Sequence, residues 1–78
     1  MANFGMPQFR KLIEITDDVK EHCRTIEDAS EDYEAAAELP ADERSEAREQ
    51  ARDEARGALA AILAEAEKLR PFLEALEA

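Results

Sequence analysis

The sequence predicts an all-α protein, an antiparallel hairpin of two helices, from three observations. Its composition favours helix, with Ala, Glu, Arg and Leu dominant and only two glycines in 78 residues. Its apolar residues recur at spacings of three and four, which is the period of a helix with one buried face. A single break at Leu39-Pro40-Ala41-Asp42 divides this pattern, and so short a connection predicts antiparallel neighbours.

The first helix is predicted from about Pro7 to Glu38, because proline suits a first helical position. The turn follows at residues 39–42, where Pro40 disfavours helical geometry at Leu39. The buried stripe of the first helix is taken from residues spaced by three or four. They are Phe9, Leu12, Thr16, Val19, Cys23, Ile26, Ser30, Tyr33 and Ala37.

The second helix is predicted over about residues 43–70, with Asp42 as its N-terminal cap. Pro71 predicts a kink or a separate terminal turn over 71–78, because it lacks an N–H group and crowds the carbonyl of Glu67. Residues 1–78 then form one domain. The second buried stripe comprises Ala51, Ala55, Ala58, Ile62, Ala66, Leu69, Leu73 and Leu76.

Folding the chain at Pro40 pairs residues whose numbers sum to about 81, so that apolar residues meet apolar residues. The predicted pairs are Ile26 with Ala55, Val19 with Ile62, Leu12 with Leu69, and Phe9 with Phe72. The same folding predicts a ladder of ion pairs between the helices. It would join Arg44, Arg48, Arg52 and Arg56 to Glu38, Glu34, Glu31 and Glu27.

One hairpin of this size cannot bury all of its apolar residues. Ile13 and Ile15 flank the first stripe, and Leu59 and Leu63 flank the second, so each apolar face is wider than one partner helix covers. We therefore expect a homodimer that forms a four-helix bundle; a higher oligomer or a different obligate partner are the alternatives. The residues predicted to mediate self-association are Phe9, Ile13, Ile15, Leu59, Leu63 and Phe72.

Charge divides the hairpin into two parts. Residues 27–54, which we call the acidic arm, hold 12 acids and three arginines, while most large apolar residues lie in the remainder, the base. The net charge of −10 argues against direct binding of nucleic acid or anionic lipid and favours a basic protein partner; the alternative is a solvated helical extension. The predicted partner-binding residues are Asp28, Glu31, Asp32, Tyr33, Glu46, Glu49 and Asp53.

The first functional hypothesis is accordingly a non-enzymatic protein–protein interaction module whose acidic arm engages a basic partner. A second is a nucleic-acid-mimicking inhibitor or immunity protein, of nuclease or anti-defence type, that occupies a basic groove with its regularly spaced carboxylates. No cofactor and no metal site are predicted. The sequence has no basic region followed by an apolar run at its N-terminus, and we expect a cytoplasmic protein without a membrane span.

A third hypothesis is a phosphotransfer or metal-binding helical bundle centred on His22, the only histidine, with Asp18 one turn before it. The stretch His22-Cys23-Arg24-Thr25 resembles the phospho-accepting histidine segment of sensor-kinase dimerisation hairpins. The acidic residue after the histidine and the following proline of that segment are absent. The stripe predicts an exposed His22 and places Cys23 against Ala58 as a small core thiol.

Overall fold

The computed structural model describes residues 4–77 and consists of two long helices packed against each other. Helix α1 spans Met6–Ala35, a 3-10 turn spans Ala36–Glu38, and α2 spans Ala41–Glu77. The hairpin is a thin rod of 61 × 16 × 13 Å. The predicted all-α hairpin is confirmed. Residues 1–3 and Ala78, which the prediction includes in the single domain and its terminal turn, lie outside the described residues.

Helix α1 starts one residue before Pro7, after Gly5. The backbone N–H of Gly5 donates to Oε1 of Gln8 at 2.8 Å, so the side chain three residues on satisfies a donor that the helix leaves free. Phe4 then packs edge-on against Phe9, with ring centroids 4.8 Å apart, and against Phe72 at 6.2 Å. Phe4 therefore mediates the predicted pairing of Phe9 with Phe72.

The turn is tighter than predicted. The α-helical part of α1 ends at Ala35, and the next three residues form a 3-10 turn that the N–H of Leu39 closes by donating to the carbonyl of Ala36 at 3.0 Å. Leu39 is extended, with φ −84° and ψ 156°, as the following Pro40 requires. The prediction of Asp42 as the cap of α2 is wrong, because the helix begins at Ala41 and Asp42 lies within its first turn. Its negative charge is favourable there, near the positive end of the helix dipole.

Helix α2 continues through Pro71 to Glu77. The separate terminal turn predicted at Pro71 is therefore wrong for the described residues. A proline removes one hydrogen bond from the helix, and the half-buried Leu69 and Phe72 on either side of it keep this segment packed. Within residues 4–77 neither helix combines the length and the apolar character that a bilayer crossing requires.

The seam between the helices is built on small residues. Among residues 4–77, the residues that are buried are four alanines, Ala29, Ala36, Ala51 and Ala58. Spacings of three and four repeat without interruption along both seams, so each seam returns every seven residues. The α1 seam comprises Leu12, Ile15, Val19, His22, Ile26, Ala29, Tyr33 and Ala36, and the α2 seam Arg44, Arg48, Ala51, Ala55, Ala58, Ile62, Glu65, Leu69 and Phe72.

The α1 seam is rotated from the predicted stripe. Cys23 is exposed and His22 is half-buried, so the predictions of a core thiol and an exposed histidine are both wrong. Ser30 and Ala37 are likewise exposed, and Ala29 and Ala36 take their places. Alanine at these positions lets the two backbones approach closely, whereas a serine there would bring a hydroxyl into the seam.

The α2 seam differs from prediction near its C-terminal end. Glu65 and Phe72 are half-buried, while Ala66 and Leu73, their predicted counterparts, are exposed. Leu76 is also exposed. Phe72 lies inward because its ring contacts Phe4, and Leu73 on the next position is left on the outside.

Candidate interaction surfaces

Tyr33 of α1 contacts two arginines of α2, Arg48 and Arg52. The Nε of Arg48 donates to the Tyr33 carbonyl at 3.4 Å, and its guanidinium carbon lies 4.6 Å from the ring centroid. Nη2 of Arg52 donates to the Tyr33 hydroxyl at 3.1 Å, with its guanidinium carbon 5.3 Å from the same centroid. The ring therefore takes part in cation–π contacts with both guanidinium groups.

The predicted ladder of arginine–glutamate ion pairs between the helices is wrong. Among residues 4–77 the four ion pairs each join residues three apart on one helix. Nη2 of Arg44 instead donates to the carbonyl of Leu39 at 3.1 Å. The cause is the position of Arg44 and Arg48 in the seam, where a ring and the free carbonyls after α1 are nearer than the outward glutamates.

The carboxylates of the acidic arm all face solvent. Each of its 12 acidic residues is exposed, and among the described residues only Asp53 has a cationic partner, Arg56 at 2.7 Å. The arginines Arg44 and Arg48 are half-buried. The outside of the arm is therefore more uniformly anionic than its composition indicates.

The predicted partner-binding residues do not form a single patch. Asp32 lines a cleft with Ala47 and Glu54, while Tyr33 lines a different cleft with Ser30 and Arg52. Glu31 lines a third recess with Glu34 of α1 and Glu38 of the 3-10 turn. Carboxylates thus surround the arm on several sides. Asp28, Glu31, Asp32, Glu46, Glu49 and Asp53 are exposed, and Tyr33 is half-buried.

Comparison with known proteins adds no assignment to these surfaces. No family model, no curated protein and no solved structure matches the chain. What the surfaces can bind therefore follows from their own chemistry.

One side of the base is apolar. Since the seam repeats every seven residues, residues seven apart keep the same position beside it. Ser30 and Arg52 line the same cleft and so lie on one side of the seam. The rows that contain them, at intervals of seven, are Phe9, Thr16, Cys23 and Ser30 on α1, and Arg52, Leu59, Ala66 and Leu73 on α2.

Large apolar residues in and next to these rows are left uncovered. Leu59 is 52% exposed, Leu63 one turn further on is 62% exposed, and Leu73 is 57% exposed. On α1, Phe9 is 43% and Ile13 is 53% exposed. We call these five residues the apolar face. An uncovered patch of this kind is a candidate binding surface.

The opposite side of the hairpin is polar. Asp32, Ala47 and Glu54 share a cleft there, which fixes the rows on that side. At intervals of seven these rows are Lys11, Asp18, Thr25 and Asp32 on α1, and Ala47, Glu54, Ala61 and Lys68 on α2. Five of the eight lie in the base, Lys11, Asp18, Thr25, Ala61 and Lys68. None of these five is a large apolar residue, so the two sides of the base differ.

The structure divides the residues predicted for self-association. Phe9, Ile13, Leu59 and Leu63 lie on the apolar face. The other two, Ile15 and Phe72, lie in the seam of their own hairpin; Ile15 therefore does not flank the stripe as predicted. Leu73 was not among the predicted residues, although its spacing of 14 from Leu59 is visible in the sequence.

His22 lies half-buried in the α1 seam. Across residues 4–77 no group of three or more His, Cys, Asp or Glu side chains is placed to hold a metal ion. Cys23, its neighbour, is exposed in the row that leads from Phe9 to Ser30.

Proposed function

We propose that this protein is a non-enzymatic protein–protein interaction module whose acidic arm binds a positively charged protein partner. One observation carries the proposal. The 12 acids of the arm are exposed, whereas its three arginines contact Tyr33 or the carbonyl of Leu39.

Unpaired exposed carboxylates suit such a role. A surface of one sign raises the encounter rate with an oppositely charged protein and disfavours partners of like charge. An ion pair inside the arm would consume carboxylate charge, and among the described residues the arm forms one, between Asp53 and Arg56. Binding of this kind weakens as ions screen the charges beyond a distance of about 8–10 Å.

Two variants with equal net charge test the proposal. The arm variant changes Glu31→Gln, Asp32→Asn, Glu49→Gln and Asp53→Asn. The control makes the same four chemical changes in the base, at Glu14, Asp17, Asp18 and Glu21, which are also exposed. With a lysine-rich helical peptide as probe, the arm variant should bind at least about tenfold more weakly, since it loses several charge contacts, and the control should bind like wild type.

Equal losses in both variants would mean that only net charge matters, and the arm would not be the binding site. Wild-type affinity that does not change between low and high salt would also contradict the proposal, because charge attraction is screened.

The proposal includes self-association of the base into a dimeric four-helix bundle, which is supported by the apolar face. Leu63→Asp should lower the solution mass measured by light scattering, because it places a charge in the contact. Ala60→Asp is the matched control, since Ala60 is exposed on the same helix but outside the apolar face. A wild-type protein that stays monomeric across the concentration series would refute this part.

A narrower form of the proposal is an inhibitor that occupies a nucleic-acid-binding groove. The carboxylates that surround the arm on several sides favour it, since duplex phosphates are likewise exposed along a rod. Such an inhibitor competes with double-stranded DNA for a basic DNA-binding protein, whereas a general adaptor does not. Loss of competition in the arm variant, with the control unaffected, would distinguish the two.

A further inference from the structure

We propose that a second copy of the chain covers the apolar face in the opposite direction, so that the bases overlap and the two acidic arms project from opposite ends of one rod. This inference rests on the proposed function, in which the base self-associates. It adds which face is used, how the two copies are oriented, and where the symmetry axis passes.

The extent of the apolar face restricts the overlap. Its five large residues lie in the base, between Phe9 and Ile13 on α1 and between Leu59 and Leu73 on α2. Further toward the turn, the same two rows continue with Ser30 and Arg52. Aligning two arms would therefore bury little apolar surface, and the driving force for association comes from the bases.

Charge decides between the two directions. Each arm carries 12 acids and three arginines, a net charge of −9. In a parallel arrangement two such arms would lie side by side at about 10 Å, within the screening distance of ordinary salt, and repel each other. The opposite arrangement places the arms at the two ends of the assembly while the bases still meet.

The two rows that contain Ser30 and Arg52 give the position of the two-fold axis along the rod. Ser30 and Arg52, whose numbers sum to 82, share a cleft, so other residues of the two rows whose numbers have the same sum lie side by side. The pairs below Ser30 and Arg52 are Cys23 with Leu59, Thr16 with Ala66, and Phe9 with Leu73.

A two-fold axis that passes through the pair Thr16 and Ala66 fits these side-by-side pairs. Phe9 of one copy then meets Cys23 of the second copy, and Leu73 meets Leu59, because each member is seven residues from the axis. Large residues face smaller ones on α1, and the small pair on the axis permits close approach. The contact is self-complementary, as a two-fold interface requires.

The same arrangement places opposite charges near each other at its edges. Arg56 lies 10 residues from Ala66 toward the turn, and Glu77 lies 11 residues from it toward the C-terminus. Arg56 of one copy therefore lies at the height of Glu77 of the second copy, beside the negative end of that copy's α2. Its own partner Asp53 is on the exposed surface.

Two labelled variants test the orientation, both in a Cys23→Ser background so that one thiol remains. Glu38→Cys places a spin label near the turn, and Glu74→Cys places one in the base. In the dimer each copy carries one label, and Glu38 is 22 residues from Thr16, which lies on the axis. At 1.5 Å per residue on each side of the axis, the labels of the two copies should be about 65 Å apart. Glu74 is eight residues from Ala66, which gives about 25 Å.

Light scattering on the same samples separates failure of this inference from failure of the proposed function. A dimer with about 65 Å at Glu38→Cys and about 25 Å at Glu74→Cys supports the arrangement. A dimer with a short distance at Glu38→Cys overturns the orientation and leaves the proposed self-association intact. A monomeric mass for the unlabelled wild-type protein overturns both the orientation and the proposed self-association.

Discussion

The hydroxyl oxygen of Tyr33 on α1 accepts a hydrogen bond from Nη2 of Arg52 on α2, over 3.1 Å. With the bond from Nε of Arg48 to the Tyr33 carbonyl, it makes Tyr33 the residue through which the two helices of the acidic arm form polar contacts. The neighbouring seam residues on the side of the base include Ala29 and Ala51, which are both buried.

Removing the Tyr33 ring should therefore destabilise the arm. Tyr33→Ala loses two cation–π contacts of about 0.5–1 kcal/mol each and part of the ring burial, and should lower the free energy of unfolding by about 2 kcal/mol. Tyr33→Phe keeps the ring, loses only the hydroxyl acceptor, and should cost about 0.5–1 kcal/mol. Urea unfolding at fixed protein concentration measures both. An alanine variant as stable as wild type would show that the ring serves a partner rather than the fold.

Enlarging a buried alanine should be costly where an exposed one is not. Ala58 is 6% exposed in the α2 seam, and Ala58→Leu should destabilise the hairpin by about 1–3 kcal/mol through overpacking. Ala60, two residues further and exposed, is the control, and Ala60→Leu should change stability by less than about 0.5 kcal/mol. If thermal unfolding gave Ala60→Leu a lower midpoint temperature than Ala58→Leu, the seam would not run through Ala58.

Replacing Glu65 should stabilise the protein. Its side chain is only 13% exposed, and its Oε2 is buried without a hydrogen-bond partner while Oε1 accepts from Nζ of Lys68 at 3.1 Å. Glu65→Leu removes this unsatisfied oxygen and should raise the free energy of unfolding by about 1 kcal/mol. Glu67→Leu, at a side chain that is 73% exposed, should have little effect. A destabilised Glu65→Leu variant would indicate an unrecognised partner for the carboxylate.

Gly57 weakens the middle of α2. It lies within a continuous helix, and a Cβ built at this position has no neighbouring atom within 4 Å. Gly57→Ala should therefore stabilise the protein by about 0.5–1 kcal/mol, because alanine loses less backbone entropy on folding. The reverse change at an exposed site, Ala60→Gly, should cost about as much. Equal midpoints for Gly57→Ala and wild type in urea would contradict this.

Part of the α1 seam could be predicted from the sequence, because one of its two rows is apolar whichever neighbouring row completes the seam. Leu12, Val19, Ile26 and Tyr33 belong both to the predicted stripe and to the observed seam. Which neighbouring row completes the seam could not be predicted from hydrophobicity, since both rows mix small and apolar residues. The close approach of the backbones decides it, and Ala29 permits that approach.

The contacts of the charged residues could also be predicted only in part. The height of Tyr33 relative to Arg48 could be predicted, because it depends only on where the chain turns, and the structure confirms it. The ion-pair ladder could not, because it depends on the direction of each side chain. Arg48 lies in the α2 seam with its guanidinium over the Tyr33 ring, while Glu34 lies on the exposed side of α1. Four of the five residues of the apolar face could be predicted from the sequence. The fifth, Leu73, is identified by the seven-residue spacing of Leu59, Ala66 and Leu73.

The inward arginines make ionic strength act in opposite directions on folding and on recognition. The exposed acids of the arm repel one another, and among the described residues one cation, Arg56, pairs with them. Added salt screens this repulsion and should strengthen the fold, while it weakens attraction to a basic partner. A complex that dissociates in salt therefore leaves behind a hairpin more stable than before, so loss of binding cannot be attributed to unfolding.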